Sequence, residues 1–262
     1  MIYQMRSILD IALISDIHIG AEPKLYYDID VRKNFLLVLE KVLKTKPDLI
    51  VLCGDQALER GEREAYEWLR EQLKEIEIPI LQIMGNHDDA LVSSEVFGYQ
   101  DQLKDGELYY STTFKGYPLI FLDSSSNRVG KKQLEWLKEE ASKIDGEILL
   151  FMHHPPTISG SRFMDGNWPL LNLEEVQEVL KEIPNIRHIF SGHYHTTKTV
   201  QWMGKEIHLC PATQMQICEE LEEFQVANLN PGWMSVQWNG KEIKCKTTFI
   251  DISNKQNEII LR

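Results

Sequence analysis

Five short blocks of this 262-residue chain carry side chains that bind metal ions. They are Asp16-Ile17-His18, Gly54-Asp55, Gly85-Asn86-His87-Asp88, His153-His154-Pro155-Pro156 and Gly192-His193-Tyr194-His195. Six of the eight histidines fall inside them, which an even scatter of histidine along the chain does not produce. Carboxylate, amide and imidazole donors without a thiolate suit borderline or harder divalent ions such as Mn, Fe, Zn or Co, among which geometry rather than affinity selects. Taken singly, an Asp-x-His triplet reads as a surface pair and Gly-Asp as turn chemistry. Metal chemistry requires the blocks to meet in one place.

The elements in front of the blocks supply that convergence. Each block follows a short apolar run, at residues 9–14, 49–53, 78–84, 148–152 and 186–190, with a sixth such run at 119–122. These runs are apolar on both parities, the pattern of strands buried on both faces. Between them lie helical stripes. Phe35, Leu36, Leu39, Val42 and Leu43 share one face and end at Lys46-Pro47, because the residue before proline avoids the helical region. Leu134, Leu137, Ala141 and Ile144, and then Val176, Val179, Leu180 and Ile183, repeat at threes and fours. Alternating strand and helix predicts a largely parallel α/β sheet, whose strands share one carboxyl-end edge where ligands bind.

From about residue 196 the pattern changes to short β-type pieces at 198–203, 206–210, 232–238 and 242–250, with Asn239-Gly240 as a hairpin turn. The expectation is one domain over 1–262. In it an α/β core over 8–195 carries the metal site, and a mostly antiparallel stretch over 196–262 completes a second packed sheet.

Composition excludes several partners. The net charge of −12 repels nucleic acid polymers and anionic membranes, whose binders present basic patches. Glu219, Glu220, Glu222 and Glu223 add an acidic cluster. Cys53, Cys210, Cys218 and Cys245 show no C-x-x-C spacing and read as reduced thiols. Residues 1–15 contain Arg6 and Asp10 and no small-residue cleavage site, so they do not read as a signal peptide. A cytoplasmic monomer or homodimer is expected.

The five blocks, intact and in order, resemble the signature of the calcineurin-like metallophosphoesterases: D-x-H, G-D, G-N-H-[DE], H and G-H-x-H. Further stretches resemble the class III cyclic-nucleotide phosphodiesterases within that superfamily. These are Leu122-Asp123-Ser124-Ser125, Gln133-Leu134-x-Trp136-Leu137, Gly160-Ser161-x-Phe163-Met164-Asp165, Cys210-Pro211-Ala212-Thr213 and Asn230-Pro231-Gly232-Trp233. The resemblance spans roughly residues 8–241 and implies a four-layer αββα fold, two central mixed β-sheets flanked by helices.

It also implies a pair of divalent ions. Asp16, His18 and His195 would hold one, Asn86, His153 and His193 the other, with Asp55 bridging. The choice of His153 over His154 follows the family block His-x-Pro, and leaves His154 beside the pocket. Two divalent cations against Asp16 and Asp55 leave a local positive surplus that calls for an anion such as phosphate. A water between ions about 3.5–4 Å apart becomes a nucleophile near neutral pH. His87, outside the ligand pattern, is expected to protonate the leaving oxygen, and Asp88 to cap the following helix. The long stretch 157–172 is expected beside the site, with Arg162 a candidate phosphate contact. The expected activity is hydrolysis of a small phosphodiester, foremost a 3′,5′-cyclic nucleotide. The alternatives are a glycerophosphodiester or nucleotide diphosphate derivative, or a metal-binding scaffold without catalysis.

Overall fold

The computed structural model describes residues 8–252. The residues of the signal-peptide reading before Ile8, and the ends of the 1–262 domain span, lie outside that range.

In chain order, β1 (Leu9–Ile14), α1 (Val31–Thr45), β2 (Leu49–Cys53), α2 (Arg63–Leu73), β3 (Ile80–Ile83) and α3 (Ala90–Phe97) come first. A small hairpin of β4 (Leu103–Lys104) and β5 (Glu107–Leu108) leads into β6 (Tyr110–Phe114), β7 (Tyr117–Phe121), α4 (Lys131–Ser142) and β8 (Ile148–Phe151). Next come α5 (Arg162–Asn167), α6 (Leu173–Lys181), β9 (Ile186–Ser191), β10 (Lys198–Trp202) and β11 (Lys205–Leu209). The chain ends in β12 (Gln216–Ile217), β13 (Val226–Asn228), β14 (Gly232–Trp238) and β15 (Ile243–Phe249).

Two mixed sheets result, ordered β15-β14-β1-β2-β3 and β10-β11-β9-β8-β7-β6. Period-two alternation sorts their side chains. Leu9, Ile11 and Leu13 of β1 meet Leu119, Phe121, Leu149, Phe151 and Phe190 between the sheets. Ala12 and Ile14 face the other way, onto Phe35, Val38 and Leu69 of α1 and α2. The outer face of the second sheet packs on α4 and α6 through Ile120, Leu150, Leu137 and Val176. Those three apolar layers are the four-layer αββα arrangement that the family resemblance implied. Stacked Phe121, Phe151 and Phe190, with ring centres 4.9 and 5.3 Å apart, fill the middle layer.

Local chemistry sets the helix ends. The Asp30 carboxylate accepts from the Lys33 N–H and starts α1, a cap worth about 1 kcal/mol. Lys46, before Pro47, ends it in the left-handed region at φ 52°.

The C-terminal segment does not complete the second sheet alone. β10 and β11 extend that sheet, with β11 parallel to β9, whereas β14 and β15 cap the first sheet through antiparallel pairing of β14 with β1. β1 needs a partner on its open edge, and β14 supplies one whose Met234, Val236 and Trp238 add to the layer between the sheets. Apolar spacing alone does not say which sheet a late strand joins.

Candidate active site

β1, β2, β3, β8 and β9 all deliver their following blocks to one edge, and the loops there fasten one another. The N–H of Asp16 donates to Gly54 O, and those of Ile17 and His18 to Asp55 O at 2.8 and 2.9 Å. The Gly192 N–H donates to His153 O, and the Thr213 hydroxyl to Asp16 O. Asp16, His18, Asp55, His193 and His195 all sit at positive φ, between 47° and 66°. Left-handed backbone costs about 1–3 kcal/mol at a residue with a side chain, so these loops hold it only because crossing hydrogen bonds leave no alternative. Small residues permit the crowding. A Cβ on Gly85 would stand 2.2 Å from Asp55 Oδ1, and one on Gly192 2.0 Å from Ser15 Oγ.

Six of the sequence-predicted donors, Asp16, His18, Asp55, His153, His193 and His195, gather in overlapping groups, one of which also takes in His87 with His18 and Asp55, while Asn86 lines the same cavity. His18 Nε2 lies 3.1 Å from His195 Nε2, which is 3.3 Å from Asp16 Oδ1. On the other side His153 Nε2 is 3.1 Å from Asp55 Oδ2 and 3.8 Å from Asp16 Oδ1. Asp55 reaches both, since its Oδ2 is also 3.8 Å from His18 Nε2. Asp16–His18–His195 and Asp55–His153–His193 each place three donor atoms close enough to share one ion. His153 Nδ1 is held 2.7 Å from Cys53 O and His195 Nδ1 3.1 Å from Met215 O, which points their Nε2 atoms inward.

The family follows from comparison with known proteins. Residues 9–197 match the model of the calcineurin-like phosphoesterases. The chain belongs to that family. It is 40% identical to a probable cyclic nucleotide phosphodiesterase of Fibrobacter succinogenes over 93% of this chain and 95% of that one. It is 30% identical to a probable glycerophosphodiester phosphodiesterase, GpdQ, of Arcobacter nitrofigilis over 72% of each. A dimetal phosphatase from Danio rerio shares the fold at a TM-score of 0.64 and 13% identity, over 90% of this chain and 98% of that one.

The phosphoesterase site fits cations by its own chemistry. Two carboxylates, Asp16 and Asp55, are almost wholly buried, which opposes their charge. The facing rings of His195 and His153 outweigh that and hold Asp16 down to about 2 and Asp55 well below the usual carboxylate range. Burial likewise opposes charge on His153, yet Asp55 pushes its imidazole up to about 10. The arrangement demands positive charge between the two carboxylates. Asn86 Oδ1 is buried with no hydrogen-bond partner, and a neutral amide oxygen left so suits a cation.

A cavity of about 660 Å³ opens over this floor. His18, Asp55, Asn86, His87, His193 and His195 line it, together with Tyr27, Phe163, Trp168 and Phe224. The 157–172 stretch does border the site: α5 brings Phe163 into the wall, and His193 Nε2 lies 2.9 Å from the Trp168 carbonyl. The His87 ring is half-buried in the wall, with Nδ1 bound to the Leu58 carbonyl. Its Nε2 is left as the second ring nitrogen.

Three side chains lie elsewhere than the sequence suggested. Arg162 is exposed and ion-paired with Glu222, outside the cavity lining, because the acidic loop crosses over α5. Its backbone N–H also donates to Glu219 O at 2.8 Å. His154 is fully buried behind His193, ring centres 4.1 Å apart. Its Nδ1 is 2.9 Å from Ser124 Oγ and its Nε2 3.0 Å from Asn127 Oδ1, so both ring nitrogens are engaged away from the cavity. Asp88 does not cap α3; Asp89 does, accepting from the Leu91 and Val92 N–H groups. Asp88 instead accepts from the N–H groups of Gly85, Gln56 and Ala57 and from the Tyr66 hydroxyl, joining the Asp55 and Asn86 loops. Burial and the Asp55 charge push its carboxyl up to about 6. Sequence reading missed this role, and the only signal for it was an acid at the end of the Gly85 block.

Proposed function

We propose that this phosphoesterase opens a small phosphodiester, foremost a 3′,5′-cyclic nucleotide, to the monoester. One observation carries the substrate reading: the cavity that the donor side chains line is also lined by aromatic rings. Phe224 stands 6.4 Å from Tyr27 and 5.7 Å from Phe163, centre to centre, and the three form an apolar face for a planar base. Glu59 and Gln214 also line the cavity and offer hydrogen-bonding groups to a sugar hydroxyl or base edge.

Asp16, His18 and His195 hold one cation in this reading, and Asn86, His153 and His193 a second, with Asp55 reaching both. Bound there, two divalent ions of the Mn, Fe, Zn or Co class supply Lewis-acid charge for the phosphoryl oxygens and lower the pKa of a water. The residues do the rest. Asp55 is fixed by the His87 main-chain N–H at 2.9 Å. His87, steadied at Nδ1 by Leu58 O, presents Nε2 to the departing oxygen and delivers its proton. Trp168 and Phe163 shield the reacting phosphate from bulk water.

The Fibrobacter and Arcobacter relatives support the two substrate readings in turn. A glycerol ester would leave the aromatic wall uncovered, which favours the nucleotide. Four cysteines free of disulfide bonds agree with a reducing, cytoplasmic setting, and no helix among the described residues is long and apolar enough to cross a membrane.

The deciding measurement is kcat/KM with added Mn²⁺ for cyclic AMP, cyclic GMP, a glycerophosphodiester and bis-(p-nitrophenyl) phosphate. The expected order places a cyclic nucleotide first, with its KM raised at least tenfold by Phe224→Ala. A glycerophosphodiester turned over faster, and insensitive to Phe224→Ala, would overturn the nucleotide reading. Failure to cleave any diester would overturn the catalytic one.

A further inference from the structure

We propose that His188, Glu206 and His208 form a separate cation site, away from the catalytic edge, that takes a zinc-class divalent ion. β9 and β11 run parallel with Glu206 opposite His188, and Glu206 and His208 occupy alternate positions on β11, so all three side chains emerge on one face. None of them lines the active-site cavity.

The three donor atoms outline a coordination face. His188 Nδ1 is 3.2 Å from His208 Nε2 and 3.4 Å from Glu206 Oε2, and the third edge, His208 Nε2 to Glu206 Oε2, is 3.7 Å. Ligands bonded at about 2.0–2.1 Å around a tetrahedral zinc stand about 3.3–3.4 Å apart, so the ion fits with movements of a few tenths of an ångström.

The far nitrogen of each ring is also engaged. His188 Nε2 lies 3.3 Å from Glu147 Oε1, within ion-pair reach though not in hydrogen-bond geometry. His208 Nδ1 lies 3.1 Å from the Thr199 hydroxyl. Histidines that bind metals carry a polar neighbour on the nitrogen that does not bind, as both of these do. His188 Nδ1 and His208 Nε2 lie within hydrogen-bond distance of each other, and an ion between them would take the place of the shared proton.

Charge points the same way. Burial lowers the pKa of both imidazoles, His208 to about 4, which favours the ligating form over the charged one. Glu147 and Glu206 then face one cation, Arg187, which is 3.9 Å from Glu147 Oε2, while Gln201 Nε2 donates to Glu206 Oε1 at 2.8 Å. One negative charge is left over. The His188 and His208 side chains are 9% and 3% exposed and that of Glu206 37%, so the open position faces solvent on the Glu206 side and admits a water. An ion there ties β9 to β11 upstream of the loop that carries His193 and His195.

The test counts zinc. The full chain is stripped with chelator, reloaded with excess Zn²⁺ and freed of unbound ion by gel filtration. The wild type is expected to retain one more zinc per chain than Glu206→Ala or His208→Gln, whatever the occupancy of the catalytic edge. Thr199→Val is expected to weaken the extra zinc about 10–100-fold. Equal zinc in the wild type and Glu206→Ala would overturn the site. If His208→Gln fails to fold, Glu206→Ala and Thr199→Val decide it, checked by melting in chelator and by an unchanged rate of diester hydrolysis.

Discussion

The main-chain N–H of His87 donates to Oδ1 of Asp55 at 2.9 Å, tying the proposed acid to the carboxylate that faces both donor groups. Because the tie is made by backbone, it survives any change to the His87 side chain. The two roles of that residue therefore separate experimentally.

His87→Ala is expected to keep the full metal content and lose about 10²–10⁴-fold in kcat. Metal analysis alongside turnover of a cyclic nucleotide checks this. A parental rate would remove His87 from proton delivery.

Asn86→Ala behaves differently. The amide oxygen is buried without a partner, and a neutral donor in that place fills a coordination position without adding charge. The variant is expected to lose the cation shared with His153 and His193 while Asp16, His18 and His195 retain theirs. Elemental analysis after gel filtration should fall by about one ion per chain; an unchanged count would take Asn86 out of the ligand set.

Tyr66 is fully buried; its hydroxyl donates to Asp88 at 3.1 Å and accepts from the Asp89 N–H at 2.9 Å. Tyr66→Phe leaves that N–H without its acceptor and Asp88 with one donor fewer, a cost of about 1–3 kcal/mol. The urea midpoint should drop accordingly, and reloading with Mn²⁺ should recover part of the loss. A midpoint equal to the wild type would show that Asp88 is held without the hydroxyl.

Asp123 gives a pH dependence with a definite sign. Burial raises its carboxyl above the ordinary 3.8, although the Leu108 and Ser125 N–H groups, at 2.7 and 2.8 Å, partly oppose the shift. A raised pKa in the folded state means that the folded chain holds this proton more tightly than the unfolded one. The stabilisation is complete below 3.8 and is lost as pH rises through the folded value. The stability of the wild type relative to Asp123→Asn should therefore increase as the pH falls from about 7 toward about 4. Paired urea titrations measure it; a difference that moves the other way would place the Asp123 charge in a favourable field.

The sequence by itself determined the donor types and the strands that deliver them. Short apolar runs on both parities, alternating with helical stripes, read as buried parallel strands, and such strands end on one edge, so the blocks of Asp16, Asp55, His153 and His193 were expected to approach one another. Helix stripes were equally legible, because spacing at threes and fours and a proline stop are local properties.

Tertiary structure decided everything that depends on direction and on partners distant in the chain. His154 and Arg162 have side chains suited to a substrate, yet Ser124 and Asn127 hold one and Glu222 the other. Asp88 is one residue short of the helix cap and becomes the knot between two loops. β14 crosses back to β1, and β9 and β11 bring His188 and His208 to 3.2 Å across 20 residues of chain. A one-dimensional pattern records which groups are present and how often they recur. Hydrogen bonds and charges act over a few ångströms in space, and only the packed sheets bring those ångströms about.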